Sequence, residues 1–509
     1  MKELLKLGNS IFFALAVLWL YFSFYFGFQY LNIDFTNLTR QLANILVILF
    51  LMSIVIFHYK ERALKFIRWL YAQFVSHKII SLIVLALFQV VILITSVGLA
   101  SADTAIVYRI ATDSKFAATT QYVSNNPNNY LLVLWFKVNY LVFRENLVVS
   151  LAFWNVLFID CSIYLLFKVN EIFTNSKISD IVFSLSYLIL GLSPQYIYTY
   201  SDPITLFLLT LLLYLFGKVI KDFNAGQVSR ILTIILGLLL AVTYGFRPTI
   251  MIFIISLAIV SILWTIKNLH QKRKLVELFK IILIFSISFL LLNRVLSFSL
   301  NHQKIVNYEP KMSRTLTYYV DLGLTYTGNN HAELSKEVVA SRGKERNSLA
   351  LMDAKAKLKN YTYTTFIGHL FYKYYWMIGE GNFGWFQERV LSEEQLLNNK
   401  WLSNIQKTSL AKKIRNYIYV GGEKYYLFGI IIQLIWIVVV VGVTLFPLYF
   451  NPSNFYQLWM QITIFGGLLF LMIFEAGRSR YLIQFSPAIL TISSLGYYYC
   501  MQSKYGDKV

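Results

Sequence analysis

IISLIVLALFQVVILITSVGLASADTAIVYRIATDS spans Ile79–Ser114. Its first part, Ile79–Ala100, is nearly unbroken apolar sequence. As a helix it would be long enough to cross a hydrocarbon layer of about 30 Å. Asp103 follows at once, and Asp113 comes one decade later. A chain leaving a membrane needs polar residues, so two readings of Asp103 stand open. It can cap the next helix through free backbone N–H groups, or it can serve chemistry at the membrane surface.

The whole chain repeats this pattern. It has 509 residues, 57% of them hydrophobic and only 14% charged, with a mean hydropathy of +0.57. So little charge over such a length places the chain among polytopic membrane proteins and excludes an ordinary soluble enzyme. The formal net charge of +21 fits basic loops on one membrane side and attraction to phosphate-bearing lipids, without nucleic acid. Cys161 and Cys500 lie in apolar segments and form no metal or disulfide pattern. The N-terminal apolar run reads as a retained helix, since no small-residue cleavage pattern follows it.

About twelve spans are expected, near 10–31, 42–58, 79–100, 147–167, 181–199, 203–219, 230–246, 248–266, 278–297, 424–449, 456–475 and 481–500. LLVLWFKVNYLVF (131–143) is too short to span and holds Lys137, so it reads as a helix along the surface. HYKERALKFIRWLYAQFVSHK (58–78) and KNLHQKRKLVELFK (267–280) together carry ten Lys or Arg. The positive-inside rule puts both loops, and both termini, in the cytoplasm. The opposite, outer face then receives Asp103, Asp202, Arg247, the 475–480 segment and a long polar insertion at about 298–423. Within that insertion, 332–359 reads as surface helix. A loop of this length without function is improbable.

Four short elements gather at that outer face. The first is the Asp103 helix, which NNPNNY (125–130) turns into the surface helix; Asp113 reads as a solvated or supporting acid. The second is SPQYIYTYSDPITLF (193–207), where Asp202 precedes Pro203 and can cap a helix. The third is AVTYGFRPTIMI (241–252), where Arg247 can snorkel to headgroups or hold a phosphate. The fourth is IFEAGRSRYLIQFSP (473–487). Glu475, Arg478 and Arg480 form either an ion pair at a helix end or a phosphate clamp. Asp160, within VLFIDCSIYLLF, is an ionisable group at membrane depth and is a functional candidate by default.

The order of these elements resembles the GT-C superfamily of integral-membrane glycosyltransferases: an acid after an outward span, interfacial helices, an outer S-D-P hairpin, an R-P-T turn and a terminal E-x-x-x-x-R-Y. Within it, the chain looks like the mannosyltransferase-related (PMT-like) proteins of Gram-positive bacteria. The resemblance covers most of the chain from Ile79 onward. It implies an all-α GT-C-like bundle with interfacial helices in the first large outer loop and a mainly helical extracellular insertion. The units would be 1–78 (two added helices and a basic loop), 79–297 (the core, with outer loop 101–146), 298–423 (the insertion) and 424–509 (the last helices). Relatives often carry two adjacent acids in the first outer loop, whereas here Asp103 stands between Ala102 and Thr104. Their Tyr-Pro is Asn126-Pro127 here.

The resemblance further implies a polyprenyl-phosphate-linked sugar as donor and a cell-wall polymer or glycolipid as acceptor, met at the extracellular face of the plasma membrane. Asp103 would be the general base; Arg247, Arg478 and Arg480 would bind the donor phosphate; Glu475, Asp202 and Asp113 would support them. Tyr372, Tyr374, Tyr375, Trp376 and Trp385 offer sugar-stacking faces or an interfacial aromatic belt. No cofactor is expected. A divalent metal is compatible with the superfamily, although no compact acid set demands one. Two rivals share parts of the pattern: a flippase or exporter of lipid-linked saccharides, and a polymer ligase or polymerase.

Overall fold

The computed structural model describes residues 2–30, 61, 65–99, 103–267, 269–383, 399–419, 421–475 and 477–505. The expected span at 42–58 lies outside these residues, as does Trp385. The principal helices are α1 (Lys2–Tyr30), α2 (Lys78–Ser96), α3 (Asp103–Thr112), α4 (Ser114–Thr119), α5 (Tyr130–Phe143), α6 (Leu147–Phe173), α7 (Ser176–Ser186), α8 (Ser201–Ala225) and α9 (Arg230–Phe246). They continue with α10 (Met251–Lys267), α11 (Lys272–His302), α12 (Leu316–Gly323), α13 (Gly343–Asn360), α14 (Tyr363–Ile378), α15 (Ser409–Ile418), α16 (Tyr425–Leu445), α17 (Phe455–Phe474) and α18 (Ser486–Tyr505). Among the described residues, eight helical stretches are long and apolar enough to cross a membrane. The protein is a polytopic helical membrane protein.

Three expected spans differ from those eight for physical reasons. α9 is apolar but has only 17 residues. α7 ends in a π-turn at Tyr187–Gly191, which frees the Gly191 carbonyl to accept from Gln89 Nε2 at 3.1 Å. Gln89 also donates to Asp160 Oδ1 at 3.1 Å, which gives the intramembrane acid its partner. α18 carries Thr491, Ser493 and Ser494, all buried. It runs through the middle of the bundle against α16, α17 and α7, so its polar groups meet protein rather than lipid. α11 is the opposite case: Ser288 is its one buried residue, and its Leu290 and Leu291 face outward.

Close crossings use small residues. A Cβ on Gly496 would run into the Gly442 carbonyl of α16 and come within 2.9 Å of Phe446 N. Gly496→Ala is therefore expected to cost about 1–3 kcal/mol through overpacking, read as a lowered detergent melting temperature. An unchanged melting point would contradict this close approach.

α5 is a separate helix, ended by Arg144 at φ 48° before α6 begins. Lys137 Nζ ties it to the Ala111 carbonyl of α3 at 2.9 Å. The insertion is helical, with α13 mostly exposed, but α14 packs into the bundle. Tyr374 Oη donates to the Leu15 carbonyl at 3.0 Å, midway along α1. The C-terminal carbonyls of α14 have no helical partners, and spanning helices satisfy them. Trp19 and Trp436 both donate to Ile378 O, at 3.0 and 2.9 Å. Gln433 Nε2 donates to Gly379 O at 2.7 Å. Tyr374, Tyr375 and Trp376 consequently pack on Phe22 and Phe26 of α1. Tyr374 is buried there and Tyr375 and Trp376 are half-buried, so all three pack on that helix rather than stand as a free sugar platform.

Candidate functional site

The outer turns expected to carry chemistry meet at one end of the bundle. Tyr200 is their common point. It lies at the start of α8, fully packed, with the adjacent strand-like stretch bridging Tyr198 to Gly98 beyond α2. Its hydroxyl donates to Asp103 Oδ2 at 3.2 Å. Asn129 Nδ2 reaches the Tyr200 oxygen at 3.4 Å and the Tyr122 oxygen at 2.7 Å. Burial pushes the Tyr200 hydroxyl well above the ordinary tyrosine range, and the Asp103 carboxylate adds to this. Tyr200 thus remains a neutral donor that orients the acid.

Asp103 is the first residue of α3 and is half-buried. Its carboxylate takes the Tyr200 hydrogen bond, and among the described residues no backbone N–H of α3 donates to it. The cap reading is therefore replaced by a held, accessible carboxylate. Asp113 behaves differently. It is exposed and caps α4, accepting from Lys115 N at 2.9 Å and Phe116 N at 3.1 Å. Its position is local, and it does not join the cluster around Tyr200.

Asp202 stands in the first turn of α8 with a side chain only 3% exposed. Arg247 Nη2 lies 2.7 Å from its Oδ1, and Arg480 Nε lies 3.4 Å from its Oδ2. Arg247 also donates from Nε to Ser201 Oγ at 3.0 Å. Both guanidinium groups lie over the Tyr200 ring, Arg480 at 4.9 Å and Arg247 at 5.7 Å. So the ion-pairing acid is Asp202, held between two arginines from two different turns. One carboxylate is shared by two arginines, and Glu475 lies in electrostatic reach of both.

The strap after α17 completes the cluster. Glu475 follows α17, and Arg478, exposed, precedes the tight turn Ser479–Phe485. Burial pushes the Glu475 carboxyl up, while Arg247 and Arg480 pull it back down. Burial and Glu475 push the neighbouring Tyr481 hydroxyl up to about 12. The strap is moulded over Lys373 of α14, whose Nζ donates to Gly323 O at 2.9 Å and Met472 O at 2.6 Å. A Cβ on Gly477 would stand 2.6 Å from the Lys373 carbonyl. Gly477→Ala is expected to lift the strap, at a cost of about 1–3 kcal/mol, and to displace Arg478 and Arg480. The check is the melting temperature together with the affinity for a lipid-phosphate donor. Equal values in both would remove the strap's role.

The sequence puts Asp103, Asp202 and Arg247 in three separate motifs and Glu475 with Arg480 in a fourth, and the fold brings the four together. Tyr200, Tyr481 and Ser201 are additional members. Their signal lay in plain sight, in the runs YTYSD and RSRYL around the charged residues, but tyrosines are common in this chain. Among the described residues no group of three His, Cys, Asp or Glu is placed to hold a metal ion.

A family model described as "Conserved hypothetical integral membrane protein" matches residues 2–501. The chain belongs to that family. No curated protein matches it. Among solved structures, the chain is similar to an Archaeoglobus fulgidus oligosaccharyltransferase tethered with an acceptor peptide containing the NVT sequon. The identity is 13% and the TM-score 0.43, with 83% of this chain and 49% of that chain covered. The chain thus spans about half the length of the structure it matches.

Proposed function

We propose that this family member is a GT-C-type glycosyltransferase that moves a monosaccharide from a polyprenyl-phosphate donor to a hydroxyl of a cell-wall polymer or glycolipid. The observation that carries the proposal is the pairing around Tyr200. Its hydroxyl holds the Asp103 carboxylate, while its ring lies under Arg247 and Arg480. A base and a positive pole therefore share one support. The cluster is read as extracellular and both termini as cytoplasmic, a reading supported by the Lys- and Arg-rich stretches 58–78 and 267–280 through the positive-inside rule.

The acceptor oxygen attacks the anomeric carbon as its proton passes to the Asp103 carboxylate. The bond from the anomeric carbon to the phosphate oxygen breaks, and its electron pair leaves with the lipid phosphate. Arg247 and Arg480, already held by Asp202, face that growing charge without reorganising; exposed Arg478 and half-buried Glu475 border it. A single displacement inverts the anomeric configuration. The proton on Asp103 then returns to water.

The test is reconstitution in liposomes with a synthetic polyprenyl-phosphate sugar and a polyol acceptor, with the product's anomeric configuration read by NMR. Inverted product is expected. Movement of the donor across the bilayer with no glycosidic product would overturn the assignment in favour of a flippase. Transfer of whole lipid-linked chains would favour a ligase.

A further inference from the structure

The insertion brings a second positive pole to the site. Its base is stitched along the loop that carries Tyr122. Asn307 N donates to Ala117 O at 3.4 Å, Ser124 Oγ to Asn307 O at 3.2 Å, and Arg314 N to Asn125 O at 3.1 Å. Arg314 is thereby tied to the loop that carries Tyr122. Its guanidinium lies over the Tyr318 ring at 5.2 Å, and the Tyr318 hydroxyl bonds His331 Nδ1 at 2.9 Å. The His331 imidazole lies in electrostatic reach of both Arg314 and Asp103. Tyr319, on the same helix as Tyr318, lies in reach of Arg314, Glu475 and Tyr481.

The neighbouring arginines are already engaged. Arg342 makes a two-pronged pair with Glu309 at 2.9 and 3.1 Å. Arg346, buried, donates to Ser341 O at 2.7 Å and Met312 O at 2.6 Å. Arg314 is half-buried, yet among the described residues its side chain has neither a carboxylate within ion-pair distance nor a hydrogen-bond acceptor. A partly desolvated guanidinium with an imidazole beside it is costly unless an anion completes it. Its planar fork matches a phosphate in two-pronged fashion.

This pole is separate from the Arg247–Asp202–Arg480 group. That group belongs to the helix ends and the strap, whereas Arg314 belongs to the insertion and stands beside His331, which lies in electrostatic reach of Asp103. We infer that Arg314, with His331 and Tyr318, forms a phosphate-binding subsite for the acceptor, which is therefore a phosphodiester-bearing polymer. The inference rests on the glycosyltransferase reading above. A phosphate recognised next to the base would fix which acceptor hydroxyl meets Asp103.

The experiment compares wild type, Arg314→Ala, Arg314→Lys and, as a neighbouring control, Lys311→Ala. Each is reconstituted with polyprenyl-phosphate sugar and offered either a glycerol oligomer joined by phosphodiesters or an uncharged alkyl polyol. For wild type, KM for the phosphodiester acceptor is expected to be lower than for the neutral one. Arg314→Ala is expected to raise the phosphodiester KM about tenfold or more and so to erase that preference. Arg314→Lys should keep part of it, and Lys311→Ala all of it. An unchanged preference in Arg314→Ala would overturn the subsite. A rise in the donor KM alone would also overturn it, by assigning the group to the lipid phosphate. A binding readout separates this from the activity itself: the phosphodiester oligomer should raise the melting temperature of wild type more than that of Arg314→Ala. Equal shifts would sink the inference whether or not sugar is transferred, whereas wild type that binds the oligomer but transfers nothing would instead count against the glycosyltransferase reading.

Discussion

Asp103→Asn is expected to lower sugar transfer by about 10²- to 10⁴-fold, the usual worth of a positioned base. The substitution is nearly isosteric. Tyr200 can still donate its hydrogen bond to the amide oxygen, so the melting temperature should hold. KM for donor should change little, because the positive pole is built by Asp202, Arg247 and Arg480. The decisive comparison is the single-turnover rate of a folded variant at saturating donor. Undiminished transfer would remove Asp103 from the role of base and leave Tyr200 holding an acid of no catalytic consequence. The same variant also separates positioning from proton transfer. Tyr200 remains in place under both arginines, so only the charge that accepts the proton is lost.

The second large effect concerns folding. Asp202→Ala removes the carboxylate shared by Arg247 and Arg480, at a site where all three side chains are about a tenth exposed or less. Breaking a buried pair from one side leaves charge without compensation, typically about 3–5 kcal/mol. That is a large share of an ordinary stability of roughly 5–15 kcal/mol. The expected result is a sharp fall in detergent melting temperature and in the yield of monodisperse protein. Asp202→Asn should lose less, since its amide oxygen still accepts hydrogen bonds. A melting temperature for Asp202→Ala equal to that of wild type would show that the arginines are held by other groups.

Much of the architecture was legible because lipid imposes a simple rule, about twenty apolar residues per crossing. The rule weakens where a helix is surrounded by protein. α18, rich in Ser, Thr and Tyr, is a central helix for that reason. It fails for α14, which has 16 residues with Lys373 and four ring residues in its last turns and so reads like surface sequence. The fold seats it in the bundle because tryptophan and glutamine side chains from distant helices satisfy its last carbonyls, and no local pattern encodes those partners. At the site, single residues such as Asp103 and Arg247 could be picked out because each is an ionisable residue in a turn next to an apolar run. Their pairing could not. The spacing of Asp202 and Pro203 suggested a helix cap, whereas two arginines from 45 or more positions away claim the carboxylate. Arg314 lies in no motif; only the stitching of the insertion onto residues 117–125 shows its direction.

The hold of Lys373 on Met472 also has a consequence in time. The acceptor carbonyl lies 99 residues further along the chain. At about 5–20 residues per second of synthesis, α14 leaves the ribosome roughly 5–20 s before its anchor exists. Trp436 and Gln433, which close its C-terminus, also arrive later. During that interval α14 has only its earlier-made partners, Gly323 O for Lys373 and Trp19 for Ile378 O, so its seat is unfinished. The insertion must therefore wait until α16 and α17 have been inserted, and then dock. Truncation before α17 should strand α14 in a protease-sensitive state, although every residue of the insertion has been made.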